Sequence, residues 1–257
     1  YVAKFSSMGS NTFSLNFGGA ANNVQQEQTG LDIATAIDDS FAITGVTLGP
    51  VDFGDGEISS GSSPRAYVAR FDSNGTHQLS RVFGATDETR GLAVDFHQSG
   101  DLFVAGSFDA SITIEDTELK ATGGIADIFV ARYDANASLL FAEGFGGQEN
   151  ATVYDMAVDP NGYAVVVGEF QADFEVNSQN VLMGGGGFDA FVLKVGFLGN
   201  GYWGYAMGDA QQQRAVGVAI DGNGDTIVAG NFSGTIDLGQ GPTVGGASDF
   251  FLAKFGP

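Results

Sequence analysis

Tyr67-Val68-Ala69-Arg70-Phe71 is written again as Phe129-Val130-Ala131-Arg132-Tyr133 and as Phe191-Val192-Leu193-Lys194-Val195. Further copies stand at Tyr1-Val2-Ala3-Lys4-Phe5 and Phe251-Leu252-Ala253-Lys254-Phe255. Taken in chain order, their first residues lie 66, 62, 62 and 60 residues apart. A period this regular sets the architecture before any single residue is considered. Each copy is short, apolar and bounded by turn residues, which reads as a β-strand with one basic residue inside it.

Working outward from Phe129, the next cluster is Asp134-Ala135-Asn136-Ala137, a turn. Leu139 to Phe145 is a second strand, closed by Gly146-Gly147. Val153 to Val158 is a third, closed by Asp159-Pro160-Asn161-Gly162, where Pro fixes φ and Gly accepts positive φ. Tyr163 to Phe170 is a fourth, and a longer loop through Gly184 to Gly187 leads to Asp189 and the next unit. The other units match: Gly45, Gly106, Gly168 and Gly230 share one position, and Phe17, Phe83, Phe145 and Met207 another. Asp38, Asp95, Asp159 and Asp221 are read as the aspartates before the tight turn. No segment carries a sustained helical period with caps.

Four short antiparallel strands per unit of about 60 residues predict an all-β chain of about four propeller blades. The expected repeats are 1–66, 67–128, 129–190 and 191–250, with a closing strand at 251–257, in one domain. Strands such as Ala164 to Val167 and Thr226 to Ala229 are apolar without alternation, as expected where both faces are covered. If the strand after the Gly pair is innermost, the chain supplies two outer strands, twelve strands of three full blades and three of a last one. A closed four-bladed ring has one strand fewer. Either Asn11 to Phe17 completes the last blade and Tyr1 to Phe5 is displaced, or the blades are a section of a larger ring.

The net charge of −21, from 31 acidic and 10 basic residues, argues against nucleic acid and against anionic membranes as partners. It suits solubility in a salty or extracellular setting. The chain has no Cys, no signal peptide and no apolar run near the ~20 residues that span a bilayer. It opens on Tyr1 inside a repeat strand and is read as a processed product or a fragment.

Asp127-Ile128-Phe129-Val130-Ala131-Arg132, Gly217-Val218-Ala219-Ile220-Asp221 with Asn223-Gly224, and Ile227-Val228-Ala229-Gly230 resemble the bacterial β-propeller repeats (SBBP repeats) of secreted and cell-surface proteins. The resemblance covers the whole chain. It implies a propeller and an extracellular or cell-surface location, and it brings no shared catalytic motif. Departures are a turn at Asp38-Asp39-Ser40 that reads as shortened, Pro64-Arg65-Ala66 in place of the aspartate before the strand, and Lys194-Val195-Gly196 where an aromatic is expected.

The recurring Lys4, Arg70, Arg132, Lys194 and Lys254 are read as partly buried cations paired with Asp95, Asp159 or Asp221, in preference to a ring binding an anion. Asp221-Gly222-Asn223-Gly224-Asp225 offers alternating oxygens but lacks the distal Glu of a calcium loop, so it is read as a hairpin turn. The acidic runs Asp52 to Glu57 and Glu115 to Glu118 fall in variable loops and are read as solvated. His77 and His97 sit in turns, and Tyr202, Trp203 and Tyr205 are read as packing residues in preference to a sugar platform. No catalytic residue and no cofactor are assigned; calcium is the one cation the Asp221 turn suggests. The expected role is a non-catalytic scaffold or binding module for protein or polysaccharide at the cell surface. The alternatives are a subunit that self-assembles through its terminal strands and a carbohydrate-active hydrolase or lyase using loop carboxylates.

Overall fold

The computed structural model describes residues 1–19, 27–59, 61–84, 87–123 and 126–256. All regular structure among them is β. β1 (Val2–Phe5) and β2 (Asn11–Leu15) form an antiparallel pair. β3 (Glu27–Thr35) and β4 (Phe41–Leu48) follow, then a small hairpin of β5 (Pro50–Asp52) and β6 (Glu57–Ser59), then β7 (Arg65–Phe71) and β8 (His77–Val82). The first full sheet has the order β3-β4-β7-β8.

The plan repeats. β9 (Thr89–Phe96) and β10 (Leu102–Asp109) precede the hairpin β11 (Ser111–Ile114) and β12 (Thr117–Lys120), then β13 (Ala126–Tyr133) and β14 (Leu139–Gly147). β15 (Ala151–Val158) and β16 (Ala164–Phe170) precede β17 (Phe174–Asn177) and β18 (Asn180–Leu182), then β19 (Asp189–Val195) and β20 (Gly201–Met207). β21 (Gln213–Ile220) and β22 (Thr226–Phe232) precede β23 (Thr235–Asp237) and β24 (Pro242–Val244), then β25 (Asp249–Phe255). The second and third sheets hold four such strands each, and the last holds three, β21-β22-β25. The hairpins fall where the sequence reading placed plain loops. Their alternating Ile112 and Ile114, or Phe174 and Val176, are buried, and so they pleat as strands.

The first strands β3, β9, β15 and β21 pack against one another in that order, so the sheets stand face to face in a row. Among the described residues no comparable packing joins β21 or β22 back to β1, β2 or β3. Asn11 to Leu15 pairs with β1 and covers the first sheet; it does not complete the last one. Each interior sheet is buried on both faces: Phe103, Ala105, Ile128 and Val130 of the second sheet meet Val153, Met156 and Val166 of the third.

The recurring glycine makes each sheet possible. Gly45, Gly106, Gly168 and Gly230 lie directly across from Tyr67, Phe129, Phe191 and Phe251. On the other side, the first strand bulges at Leu31, Leu92, Tyr154 and Val216. A Cβ on Gly106 would overlap the Arg90 carbonyl and crowd the Phe129 ring, and one on Gly168 would do the same to Thr152 and Phe191.

Three kinds of polar contact tie neighbouring sheets together. At the first strands, Asp32 accepts the Val94 N–H, Asp95 that of Val158 and Asp155 that of Val218, each at 2.8 Å. The second is the basic residue of the opening motif. Lys4 donates to the Ser73 carbonyl at 3.0 Å, Arg70 to Ala135 at 3.5 Å and Arg132 to Phe197 at 2.8 Å, all in the third-to-fourth-strand turn of the following sheet. The third is the hairpin, which clasps the end of the preceding fourth strand: Asp52 at Gly18, Thr113 at Gly84, Phe174 and Glu175 at Gly147 and Gly146, and Thr235 at Asp209.

The partners of the cations are partly as expected. Lys194 pairs with Asp159 at 3.0 Å in the interior, and Lys254 with Asp221 at 2.8 Å and Asp225 at 2.8 Å at the surface. Arg132 pairs with Asp101 and lies between the Phe103 and Phe197 rings. Asp95 is not a cation partner, because the Val158 and Phe96 N–H groups hold it. Nor are Asp38 and Asp95 the counterparts of Asp159 and Asp221. The turns close from Ala36 to Ser40, His97 to Asp101, Asp159 to Tyr163 and Asp221 to Asp225, which puts Ala36 and His97 at that position. The turn at Asp38 is of the common length, with Asp39 at φ 62° where Gly100, Gly162 and Gly224 stand elsewhere. Asp127, Asp189 and Asp249 hold the N–H groups of Thr122, Gly185 and Gly246 in the loop before the third strand; buried Arg65 takes that place in the first sheet.

Three outcomes follow from these contacts. Gly106→Ala is expected to lose about 3 kcal/mol or more, since the collision is with backbone, and a urea melt showing less than about 1 kcal/mol would contradict the close approach. Arg132→Met, which leaves Asp101 unpaired, is expected to cost about 3–5 kcal/mol, against about 1 kcal/mol or less for Lys254→Met at its exposed pair; equal losses would sink the distinction. The third concerns pH. Burial raises the Asp32, Asp95 and Asp155 carboxyls above 3.8, and neighbouring carboxylates add to the rise at Asp95 and Asp155. Their protonation favours the folded state, so that stability is present at low pH and is lost as pH climbs above 3.8. Hydrogen bonds hold Asp38, Asp72, Asp209 and Asp221 below 3.8, so their contribution is lost as pH falls beneath that value. The melting temperature is expected to rise from neutral pH to a maximum just above 3.8 and then fall. The rise should persist in 1 M salt, where long-range repulsion is screened within about 3 Å. A flat profile in salt would remove the buried carboxyls from the account.

Candidate functional site

The residues that recur with the period are engaged in packing. Lys4, Arg70, Arg132 and Lys194 are each bound to a carbonyl or a carboxylate, and they form no open ring of cations. In the Asp221 turn, Oδ1 accepts the N–H groups of Asn223 and Asp225 at 2.8 and 3.1 Å, while Oδ2 of Asp221 and of Asp225 face Lys254. Its oxygens therefore serve a hairpin turn and an ion pair. Among the described residues no three His, Cys, Asp or Glu converge in a way that could hold a metal ion.

The acidic runs are turns of the small hairpins. Asp52 Oδ1 accepts the Gly54 and Gly56 N–H groups at 2.7 and 3.2 Å, and Phe53 beside it is buried. Glu115 pairs with Arg81 at 2.5 Å and Glu118 with Lys120 at 3.3 Å, both at the surface. His77 bonds Ser80, and His97 bonds Ser99 and the Pro160 carbonyl; neither faces a nucleophile with a carboxylate behind it. Tyr202 leans on Tyr163 at 5.3 Å between ring centres, and Trp203 and Tyr205 lean on Phe255 at 6.1 and 5.4 Å. Beside these contacts Tyr202 and Tyr205 remain 57% and 43% exposed.

Two surfaces at the ends of the row remain unfilled, and the repeat pattern gave no direct sign of either. The first is a groove of about 430 Å³ between β1 and β3. Val2 and Ala3 form one wall, Leu31, Asp32 and Ile33 the other, and Phe17, Ile43, Phe53 and Tyr67 the floor. Burial raises the Tyr67 phenol to about 12, so it stays a neutral donor, bonded to the Thr29 carbonyl at 3.3 Å. The groove lies where two more strands would stand on the inner side of β1. The second surface is the forward face of the last sheet, which carries Phe250, Leu252 and Val216 in the open. It adjoins an apolar cleft of about 390 Å³ lined by Phe232, Ile236, Leu238 and Val244. The strand count made from the sequence already implied them, since two strands precede the first full sheet and the last sheet holds three.

No helix among the described residues is long and apolar enough to cross a membrane. No family model matches the chain. Over 240 residues the chain is 27% identical to the regulatory protein FlaEY of Caulobacter vibrioides, an alignment that takes in 87% of this chain and 23% of that protein. The chain thus spans under a quarter of the length of that relative.

Proposed function

We propose that the chain is a non-catalytic scaffold whose sheets are successive blades of a β-propeller. It works outside the cell or at its surface and binds protein or polysaccharide through its loops and terminal faces. The observation that carries this reading is the use made of the recurring polar residues: they join one sheet to the next, cap a turn or pair with a turn carboxylate of their own sheet, as with Asp95 on Val158, Arg132 on Phe197 and Lys194 on Asp159. Asp32 borders the groove that holds Tyr67 and Asp159 a cleft beside His97, yet there Asp32 accepts the Val94 and Ile33 N–H groups and Asp159 caps its turn and pairs with Lys194. Two of the clefts, of about 430 and 390 Å³, carry exposed apolar side chains in their walls, which suits contact more than turnover. The placement outside the cell rests on the resemblance to SBBP repeats and on the acidic surface, which keeps such a module soluble and clear of nucleic acid. The name of FlaEY as a regulatory protein fits a chain that acts by contact.

A panel of polysaccharides incubated with the purified chain is expected to show binding to some members or to none, with no release of shorter sugars. Hydrolysis that disappears in Asp55→Asn or Asp116→Asn, both in hairpin turns away from the sheet contacts, would overturn the reading in favour of an enzyme.

A further inference from the structure

We infer that the groove between the second and third sheets binds an arginine side chain of a partner protein, held between Glu143 and Glu175. The inference rests on the reading of the chain as a protein-binding scaffold and names the chemistry of one partner. It begins from two neighbouring seams built from the same parts. Arg81 lies opposite Val68 and Glu143 opposite Val130, so the two hold one place on the fourth strands β8 and β14. The hairpins correspond as well, for Thr113 meets Gly84 where Glu175 meets Gly146.

Between the first and second sheets the chain supplies its own guanidinium. Arg81 reaches from β8 to the hairpin turn and donates from Nε to Glu115 at 2.5 Å. Ala137 and Leu139 pack into the same seam. Between the second and third sheets Glu143 stands in place of Arg81, and Gly199 and Gly201 in place of Ala137 and Leu139. What results is a groove of about 270 Å³, with buried Phe145 and Val176 beneath it and Glu143, Glu175 and Asn200 at its rim. Among the described residues that line it, Glu143 and Glu175 carry the only formal charge. Neither belongs to an ion pair of the described residues. Burial raises the Glu143 carboxyl, and no cation beside it offsets the rise.

The first seam thus displays the ligand that the second one fits. A guanidinium suits two carboxylates with an apolar floor between them, because its edges donate in a plane while its face rests on carbon. The chain already uses that arrangement in its interior, where Arg132 lies between the Phe103 and Phe197 rings and pairs with Asp101. The net charge of −21 draws basic segments toward the surface and repels acidic ones.

The test is an amide NMR titration of the isotope-labelled chain with a blocked tripeptide that has arginine at its centre, in about 0.15 M salt. The same peptide with citrulline keeps the shape and removes the charge. Saturable shifts are expected at the amides around Gly144, Glu175 and Asn200 with the arginine peptide, and none with citrulline. Glu143→Gln with Glu175→Gln is expected to weaken binding roughly tenfold. Glu143→Arg, which rebuilds the arrangement of the first seam, is expected to abolish it while the rest of the spectrum stays in place. A titration without shifts overturns the site. So do shifts that spread over the acidic surface, that citrulline reproduces, or that survive Glu143→Arg. Each of these leaves the scaffold reading standing, since that reading turns on hydrolysis in the polysaccharide panel.

Discussion

Each sheet in this chain is apolar on both faces, and no sheet can satisfy both by itself. That constraint governs the rest of the structure. Ala190 and Val192 of the third sheet face Val228 and Phe251 of the last, while Phe191 and Leu193 face backward into the second. A fully buried side chain of this size contributes about 1.5–3 kcal/mol by leaving water, so most of the stability resides between sheets. Stability in such a row is close to a sum over neighbouring pairs.

The polar residues are placed by the same constraint. Between two apolar faces the edges of a sheet are the places left for charge, and the chain puts its interlocks there. Buried Arg132 has Asp101, the Phe197 carbonyl and two rings around it, which offsets much of the cost of taking a guanidinium out of water. The remaining surface is left to 31 acidic residues with few cations among them. The functional reading follows from this division, since the repeat leaves only loops and terminal faces to vary.

Much of the fold was legible in the sequence because its causes are local. The period, the strand order within a unit, the crowded glycine and the cation with a carboxylate near it all leave marks within a few residues. Lys194 with Asp159 and Lys254 with Asp221 could be paired from the repeat alone. What was missed depends on register between distant strands. Asp95 reads as the match of Asp159, the aspartate before a turn, yet the two lie 64 residues apart where Gly106 and Gly168 lie 62 apart. His97 is therefore the counterpart, and Asp95 falls two positions earlier, onto a neighbour's N–H. The small hairpins were hidden by acidic turns, although the buried alternation of Ile112 and Ile114 was there to be read. Of the candidate site little was visible, because an uncovered face differs from a covered one only in what stands beyond it. Phe250 reads as one more core residue until the absence of the neighbouring sheet is seen.

The cation contacts and the carboxylate contacts share a property beyond holding sheets together. Lys4, Arg70 and Arg132 each reach forward along the chain, and Asp32, Asp95 and Asp155 offer their oxygens in that same direction. These two sets of side chains thus all reach in one sense along the row, which gives it a head and a tail. Whatever order of stacking such repeats adopt, it is vectorial.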